Sequence, residues 1–231
     1  MQGQLMLNTP RFNSNSIHQR LSRQLSAMTA ATVKPSLQIL AGASRIDAGI
    51  LEAMGHDVHV SLKTPLELRQ RVVVVFRSAI PSLDVAIPGV VHWNNSKVAP
   101  AEVGIALQEP IPEELSVRQP GCTRNNIRFA CKVYGTLKWT QTATSAAANE
   151  KGPSQISVPA TAMNYSRDGF CVQLGTEPSI GTQVEYAWQN DRTALKVHGV
   201  VRWVIGQSGG AMAGCELIDN KGYMLGSGVD F

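Results

Sequence analysis

The sequence predicts an all-β protein made of two tandem antiparallel β-barrels behind a short N-terminal helix or arm. From residue 37 onward, short runs rich in Val and Ile alternate with Pro, Gly and Asn, and no stretch between them has the length of a convincing helix. These runs form two series, separated by an acidic, proline-bearing linker at residues 108–120. The two series share residues at matching spacings, which indicates a repeated structural unit.

The first 31 residues are predicted to be a flexible basic arm or short helix. Ile17, Leu21, Leu25 and Met28 fall at helical spacing. Residues 1–46 hold five of the 21 basic residues and none of the 17 acidic ones. The rest of the chain therefore has no basic surplus with which to hold a polyanion by counterion release, and we expect no DNA binding.

Composition places the chain among globular proteins, since 43% of its residues are apolar and 16% are charged. No apolar run reaches the roughly 18 residues that a membrane helix needs. The start also lacks the features of a secretory signal, so we expect a cytoplasmic protein. The four cysteines show no C-x-x-C spacing and are expected to be reduced thiols in or near the core. They are Cys122, Cys131, Cys171 and Cys215.

Ten strands stand out as short runs of β-branched and aromatic residues bounded by turn-forming residues. In the first series they are residues 58–62, 71–76, 85–93 and 102–107. In the second series they are residues 127–134, 157–164, 170–174, 184–188, 195–203 and 211–218. Residues 141–154 are predicted to be an inserted loop.

Three pairs of segments carry the repeat. They are residues 60–65 with 172–178, GVVHW at residues 89–93 with GVVRW at residues 199–203, and residues 104–107 with 214–217. Trp93 precedes Gly104 by 11 residues, and Trp203 precedes Gly214 by 11 residues. We therefore predict two barrels of one type, in residues 32–115 and 116–231, with both tryptophans in the barrel core or as end plugs.

Two polar motifs of the second unit carry the candidate site. Arg124 and Arg128 stand four positions apart in RNNIR, just before a strand. Asn164, Ser166 and Gly169 belong to NYSRDG, a turn between two strands. Guanidinium groups suit bidentate bonding to phosphate or to the N7 and O6 edge of guanine. The amide and the hydroxyl, two positions apart, point the same way on an extended segment. Together these groups suit a small anionic guanine nucleotide.

An R-x-x-x-R pair followed by [D/N]-x-S-x-x-G resembles the signature of PilZ domains, which bind the bacterial second messenger cyclic di-GMP. The resemblance extends from residue 118 to the C-terminus and implies a split, six-stranded barrel. Asn164 replaces the commoner Asp at the first position of the second motif. The gap between the motifs is longer than usual because of the insertion at residues 141–154, and the C-terminal helix of the family would be short at best.

The resemblance implies a receptor or adaptor that converts cyclic di-GMP binding into a change of inter-domain arrangement or of partner binding. Arg124 and Arg128 would take a phosphate and a guanine edge, Asn164 a guanine, and Ser166 a phosphate oxygen, while Gly169 would keep the turn open. A downstream protein partner in motility, pili or polysaccharide machinery is expected. The sequence leaves open whether the protein forms a homodimer.

The first unit is similar to a degenerate PilZ-like domain, as in flagellar brake proteins. Counting along the repeat places Glu52, Met54 and Asp57 at the positions that the second motif occupies in the second unit. Carboxylates and a thioether do not suit a phosphate. We therefore expect the first barrel not to bind the nucleotide.

Other functions have less support in the sequence. There is no Walker loop, G-x-S-x-G or H-E-x-x-H motif, so no enzyme, catalytic residue or cofactor is expected. His56 and His59 form H-x-x-H, but side chains three apart on a strand point to opposite faces, so no metal site is expected. Two alternatives stay open, a non-sensing structural or scaffold protein and a barrel that binds single-stranded nucleic acid.

Overall fold

The computed structural model describes residues 35–77, 84–121, 123–141, 154–190, 193–219 and 221–227. These residues form two closed, six-stranded antiparallel barrels, which confirms the predicted fold class. The predicted N-terminal arm or helix at residues 1–31 lies outside the described residues. No helix in the described part of the chain is long and apolar enough to cross a membrane.

The first barrel has the strand order β1-β2-β3-β6-β5-β4. Its strands are β1 (Ser36–Ala41), β2 (Ser44–Met54), β3 (Asp57–Leu62), β4 (Arg71–Arg77), β5 (Val85–Asn95) and β6 (Ala101–Leu107). The strand prediction omitted β1 and β2. In β2 the polar residues and Gly49 weaken the local β signal, and pairing with β1 and β3 compensates for it.

The second barrel has the same topology, β7-β8-β9-β12-β11-β10. Its strands are β7 (Phe129–Gln141), β8 (Ser154–Tyr165), β9 (Gly169–Leu174), β10 (Gln183–Asn190), β11 (Thr193–Gln207) and β12 (Gly210–Leu217). Each contains most of one predicted strand. Gln141 pairs with Ser154, so the predicted insertion joins two strands of a hairpin, and residues 142–153 are outside the description. A four-residue helix, α1 (Met224–Ser227), follows β12.

Strand register confirms the repeat position by position. Trp93 faces Gly104 and Trp203 faces Gly214, in each case directly after a β-bulge. The β2–β3 and β8–β9 pairs contain a second matching irregularity. It places Glu52 at the position of Asn164, as counting along the sequence predicted. The two barrels therefore share bulges as well as strand order.

The linker at residues 108–120 is bonded to the first barrel. Ala53 N–H donates to Val117 O, and Val117 N–H donates to Ala53 O, each at 2.7 Å. Ile111 N–H donates to Gly55 O at 2.7 Å. The side chain of Ile111 is buried in the core of the first barrel. The chain thus stays attached to the end of β2 before it enters the second barrel.

The two barrels meet at a seam, which we define as Asp57, His92, Phe129, Tyr165 and Tyr223. All five are buried, with Asp57 and His92 wholly inaccessible to solvent. The ring of Phe129 lies 4.4 Å from that of His92, in an edge-on arrangement. Because Phe129 begins β7 and His92 lies on β5, the opening strand of the second barrel packs directly on the first.

Polar groups inside the seam bond across the two barrels. Tyr165 donates its hydroxyl hydrogen to the His92 carbonyl oxygen (3.2 Å), and the same hydroxyl oxygen lies 2.9 Å from His92 Nδ1. His92 therefore carries its ring hydrogen on Nδ1. Tyr223 donates to Asp57 Oδ1 at 2.8 Å, and His92 Nε2 lies 3.7 Å from the same oxygen.

Burial keeps the acid and the base of the seam neutral. It raises the pKa of Asp57 to about 7 and lowers the pKa of His92 to about 3, because the interior disfavours either charge. The Tyr223 hydrogen bond and the Arg167 charge lower the pKa of Asp57 by less than burial raises it. Near pH 6 the folded protein thus holds a carboxylic acid beside a neutral imidazole.

Asp57→Asn is expected to uncover a pH dependence that the native chain hides. Between roughly pH 4 and 6.5, folding adds a proton to Asp57 and removes one from His92, so their effects on the free energy of unfolding oppose each other. In the variant only His92 remains, and stability should fall as pH drops from about 6.5 towards 4. Above about pH 7 the variant should match or exceed the native chain, because it buries no carboxylate charge.

Urea denaturation of both proteins at several pH values checks this expectation. Asp47→Asn is the control, because Asp47 is exposed on β2 and its carboxylate accepts a hydrogen bond from the Gln38 side chain at 2.8 Å. A pH profile of Asp57→Asn that runs parallel to that of the native chain would contradict the assignment of both charge states.

Candidate functional site

Four of the five predicted site residues line one pocket of about 290 Å³ on the second barrel. Arg128 stands just before β7, Asn164 lies near the end of β8, Ser166 follows that strand, and Gly169 begins β9. The other lining residues are Asp168, Phe170, Cys171, Arg202, Trp203, Gly214, Cys215 and Glu216. Pairing of β9 with both β8 and β12 brings the second motif beside residues that are distant in sequence.

The turn of the second motif is closed by its own hydrogen bonds. Ser166 N–H donates to Gly169 O at 2.8 Å. The buried Ser166 hydroxyl donates to Asp168 Oδ1 at 2.7 Å. Because a hydroxyl has one hydrogen, Ser166 would have to break its bond to Asp168 before it could donate to a phosphate oxygen.

Gly169 is required by the close approach of a neighbouring strand. Its φ is not positive, unlike that of five other glycines in the described residues. A Cβ at this position would lie 2.8 Å from the Cys215 carbonyl oxygen of β12. Gly169 is therefore required by the close approach of the protein's own strand β12 and not by a positive φ.

Arg124 does not line the pocket. Its side chain is exposed, and its carbonyl oxygen accepts a hydrogen bond from Arg118 Nη1 at 3.1 Å. Its charge acts on Glu52 of the first barrel, where burial raises the pKa of the carboxyl and Arg124 lowers it. The two predicted arginines therefore lie in different surroundings, Arg128 at the pocket and Arg124 beside the first barrel.

Eight of the lining residues were not predicted as site residues, and three of them, Arg202, Trp203 and Glu216, form one wall of the pocket. Arg202 is the extra residue of the β11 bulge, and it donates from Nε to the Glu216 carboxylate. The prediction that Trp203 is a core or plug residue was wrong, since its half-buried indole covers Gly214 and lines the pocket. The spacing shared by the two GVV-x-W segments is the sequence signal that placed Trp203 over Gly214.

The thiols near the pocket are protonated at neutral pH. Cys131, Cys171 and Cys215 are free, and the last two are buried, as predicted, whereas Cys122 lies outside the described residues. Burial raises the pKa of Cys131 and of Cys215 to about 12. It also raises that of Cys171, which Arg128 partly lowers. Within the described residues, no group of three or more His, Cys, Asp or Glu could hold a metal ion.

The corresponding face of the first barrel is filled by protein. Glu52, Met54 and Asp57 are all buried. The ring of Phe129 occupies the space above Gly104, which corresponds to the space that Trp203 covers above Gly214. The Trp93 indole turns to the second barrel and donates to Ala130 O at 2.7 Å.

Comparisons with known proteins find likeness in solved structures alone. No family model matches the chain, and no curated protein matches it. The PlzA protein of Borreliella burgdorferi in complex with c-di-GMP is 10% identical, with 92% of this chain and 97% of that chain covered and a TM-score of 0.35. The MrkH–c-di-GMP complex of K. pneumonia is 10% identical, with 88% of this chain and 84% of that chain covered and a TM-score of 0.29.

YcgR from Escherichia coli in complex with c-di-GMP is 9% identical, with 90% of this chain and 83% of that chain covered and a TM-score of 0.29. These matches extend over most of each chain. Identities and TM-scores this low give no basis for assigning a function.

The C-terminal segment holds the site turn against the seam. Gly222 N–H donates to the Arg167 carbonyl oxygen at 3.3 Å, and a Cβ on Gly222 would overlap the carbonyl oxygen of Ser166. The next residue, Tyr223, reaches Asp57 of the first barrel. One short segment therefore contacts the pocket turn and the first barrel together.

Gly222→Ala is expected to destabilise the protein by about 1–3 kcal/mol, because the added methyl group forces the segment off the Ser166–Arg167 backbone. Gly175→Ala is the control, since a Cβ at Gly175 meets open space and the φ of Gly175 is not positive. This control variant should change the free energy of unfolding by less than about 0.5 kcal/mol. Urea denaturation measures both. Equal stability of the two variants would show that the segment does not press on the turn.

Proposed function

We propose that this protein is a receptor for cyclic di-GMP and that its second barrel is a PilZ domain with the ligand site at the pocket described above. One observation carries the proposal. Arg128 and the Asn164–Ser166 face come from two motifs far apart in sequence, and they converge on one concave site. The proposal concerns a binding protein and not an enzyme.

The chemistry of the pocket suits a guanine nucleotide. Arg128 and Arg202 supply forked, permanently charged donors for phosphate oxygens or for guanine O6 and N7. Asn164 supplies both a donor and an acceptor. Trp203 offers an aromatic face on which a base can stack. At about 290 Å³ the pocket is at the small end of ligand sites, so part of a cyclic dinucleotide would remain outside it.

In this proposal Arg124 couples ligand binding to the arrangement of the two barrels. Arg124 acts on Glu52 of the first barrel. When Arg124 turns to a ligand phosphate it gives up that interaction, and the attachment of the second barrel to the first changes. A ligand shifts such an equilibrium only through its different affinity for the two arrangements. A downstream protein partner, in motility, pili or polysaccharide machinery, would then recognise the ligand-bound arrangement.

Arg128→Ala is expected to weaken cyclic di-GMP binding by about tenfold or more, because it removes a charge-assisted hydrogen bond at the pocket. Arg124→Ala should also weaken binding, by removing the arginine that reaches the remaining phosphate. Isothermal titration calorimetry on the full chain measures both effects. Arg71→Ala is the matched control, since Arg71 is exposed on β4 of the first barrel and should leave the affinity unchanged.

Two results would reject this account. Full affinity in Arg128→Ala would place the ligand elsewhere. No binding by the native chain would favour the alternative of a structural protein that senses nothing.

Glu52→Gln is expected to tighten cyclic di-GMP binding by about two- to tenfold, because Arg124 loses the anionic group that competes with the ligand. Calorimetry at low and at moderate salt checks this. Glu67→Gln serves as control, because Glu67 is exposed on the first barrel and should have no effect. Weaker binding in Glu52→Gln would show that the Glu52–Arg124 interaction supports the binding-competent state instead of opposing it.

A further inference from the structure

One wall of the pocket carries an ion pair that belongs to neither motif. Arg202 donates from Nε to the Glu216 carboxylate, and both residues line the pocket. Their side chains are 58% and 53% exposed, so a ligand can reach them. The bulge at Arg202 tilts its side chain towards β12, which bears Glu216. The pair is thus placed at the rim of the site by the geometry of the strand.

The barrel fold does not require this pair. In the first barrel the same two positions, set by the shared register, hold His92 and Ala106. Both are buried, and β5 and β6 pair in the same way without a carboxylate at the position of Glu216. An exposed ion pair also adds little to stability. The reason for Glu216 therefore lies in what the pocket binds.

Glu216 is an acceptor that the ligand can use. The other carboxylate of the pocket, Asp168, already accepts from the Ser166 hydroxyl. A carboxylate has two oxygens and about four lone-pair sites, and Arg202 holds one part of Glu216 while the remainder faces solvent. Arg202 also orients the carboxylate, because its Nε–H donates to one of the carboxylate oxygens.

We propose that Glu216 reads the Watson–Crick edge of a guanine and makes the pocket selective for guanine over adenine cyclic dinucleotides. Guanine presents two adjacent donors there, N1–H and the 2-amino group, which one carboxylate can accept together. Adenine presents an unprotonated N1, whose lone pair a carboxylate repels. Arg202 is the positioning residue that holds Glu216. This inference rests on the proposed function and adds the base selectivity of the same site.

Glu216→Gln is the decisive variant, tested on the full chain by calorimetry with three ligands. These are cyclic di-GMP, the inosine analogue that lacks the 2-amino group, and cyclic di-AMP. The native chain should prefer cyclic di-GMP to the inosine analogue by about tenfold, the discrimination expected of one well-formed bidentate contact. In Glu216→Gln that preference should shrink to about twofold or less, because the amide cannot accept from both donors.

Two further variants distinguish a loss of guanine recognition from a general effect of removing a charged side chain. Arg202→Gln should bind every ligand more weakly and keep only part of the preference for cyclic di-GMP over the inosine analogue, because the carboxylate remains but is no longer held in place. Glu185→Gln removes an ion-paired glutamate of β10 that lies outside the pocket, and it should leave both affinity and preference unchanged.

The possible failures can be told apart. If the native chain binds cyclic di-GMP and Glu216→Gln keeps the full preference for it, the inference is overturned and the receptor function stands. If the native chain binds none of the three ligands, the receptor function and the inference both fall.

Discussion

Phe129 packs on Gly104 and His92, so the first strand of the second barrel covers the face of the first barrel that corresponds to the pocket. Two titratable groups of the seam, Asp57 and His92, are wholly buried. Both are neutral near pH 6, because burial raises the pKa of Asp57 to about 7 and lowers that of His92 to about 3. The seam therefore combines aromatic packing with a small set of directional hydrogen bonds, which fixes how the barrels meet.

Equivalent positions of the two barrels consequently have different surroundings. The same β-bulge directs His92 into the seam of the first barrel and Arg202 towards the pocket of the second. The same glycine position is covered by Phe129 in one case and by Trp203 in the other. In the first barrel a neighbouring domain fills the space. In the second the equivalent surface stays concave and accessible, which is what a ligand site requires.

The pocket and the seam are neighbours along the chain and in space. Tyr165 lies between Asn164 and Ser166, and its hydroxyl bonds His92 while the residues on either side line the pocket. The C-terminal turn at Gly222 and Tyr223 contacts both places. A shift of the site turn must therefore move a group that is hydrogen-bonded in a close-packed interior, where small displacements are not absorbed. This contiguity supplies a physical route for coupling between the pocket and the seam.

Sequence patterns alone determined the two barrels, most of their strands, the repeat and the turn that presents Asn164 and Ser166. Such features depend on alternation, turn chemistry and spacing, which are local along the chain. Only the tertiary structure decided that the Arg124 charge acts on Glu52, that Glu216 belongs to the pocket, and that β1 and β2 form where the local signal is weak. It also decided that Phe129 closes the first barrel. These outcomes depend on contacts between residues distant in sequence, and the packing of the whole chain sets such contacts.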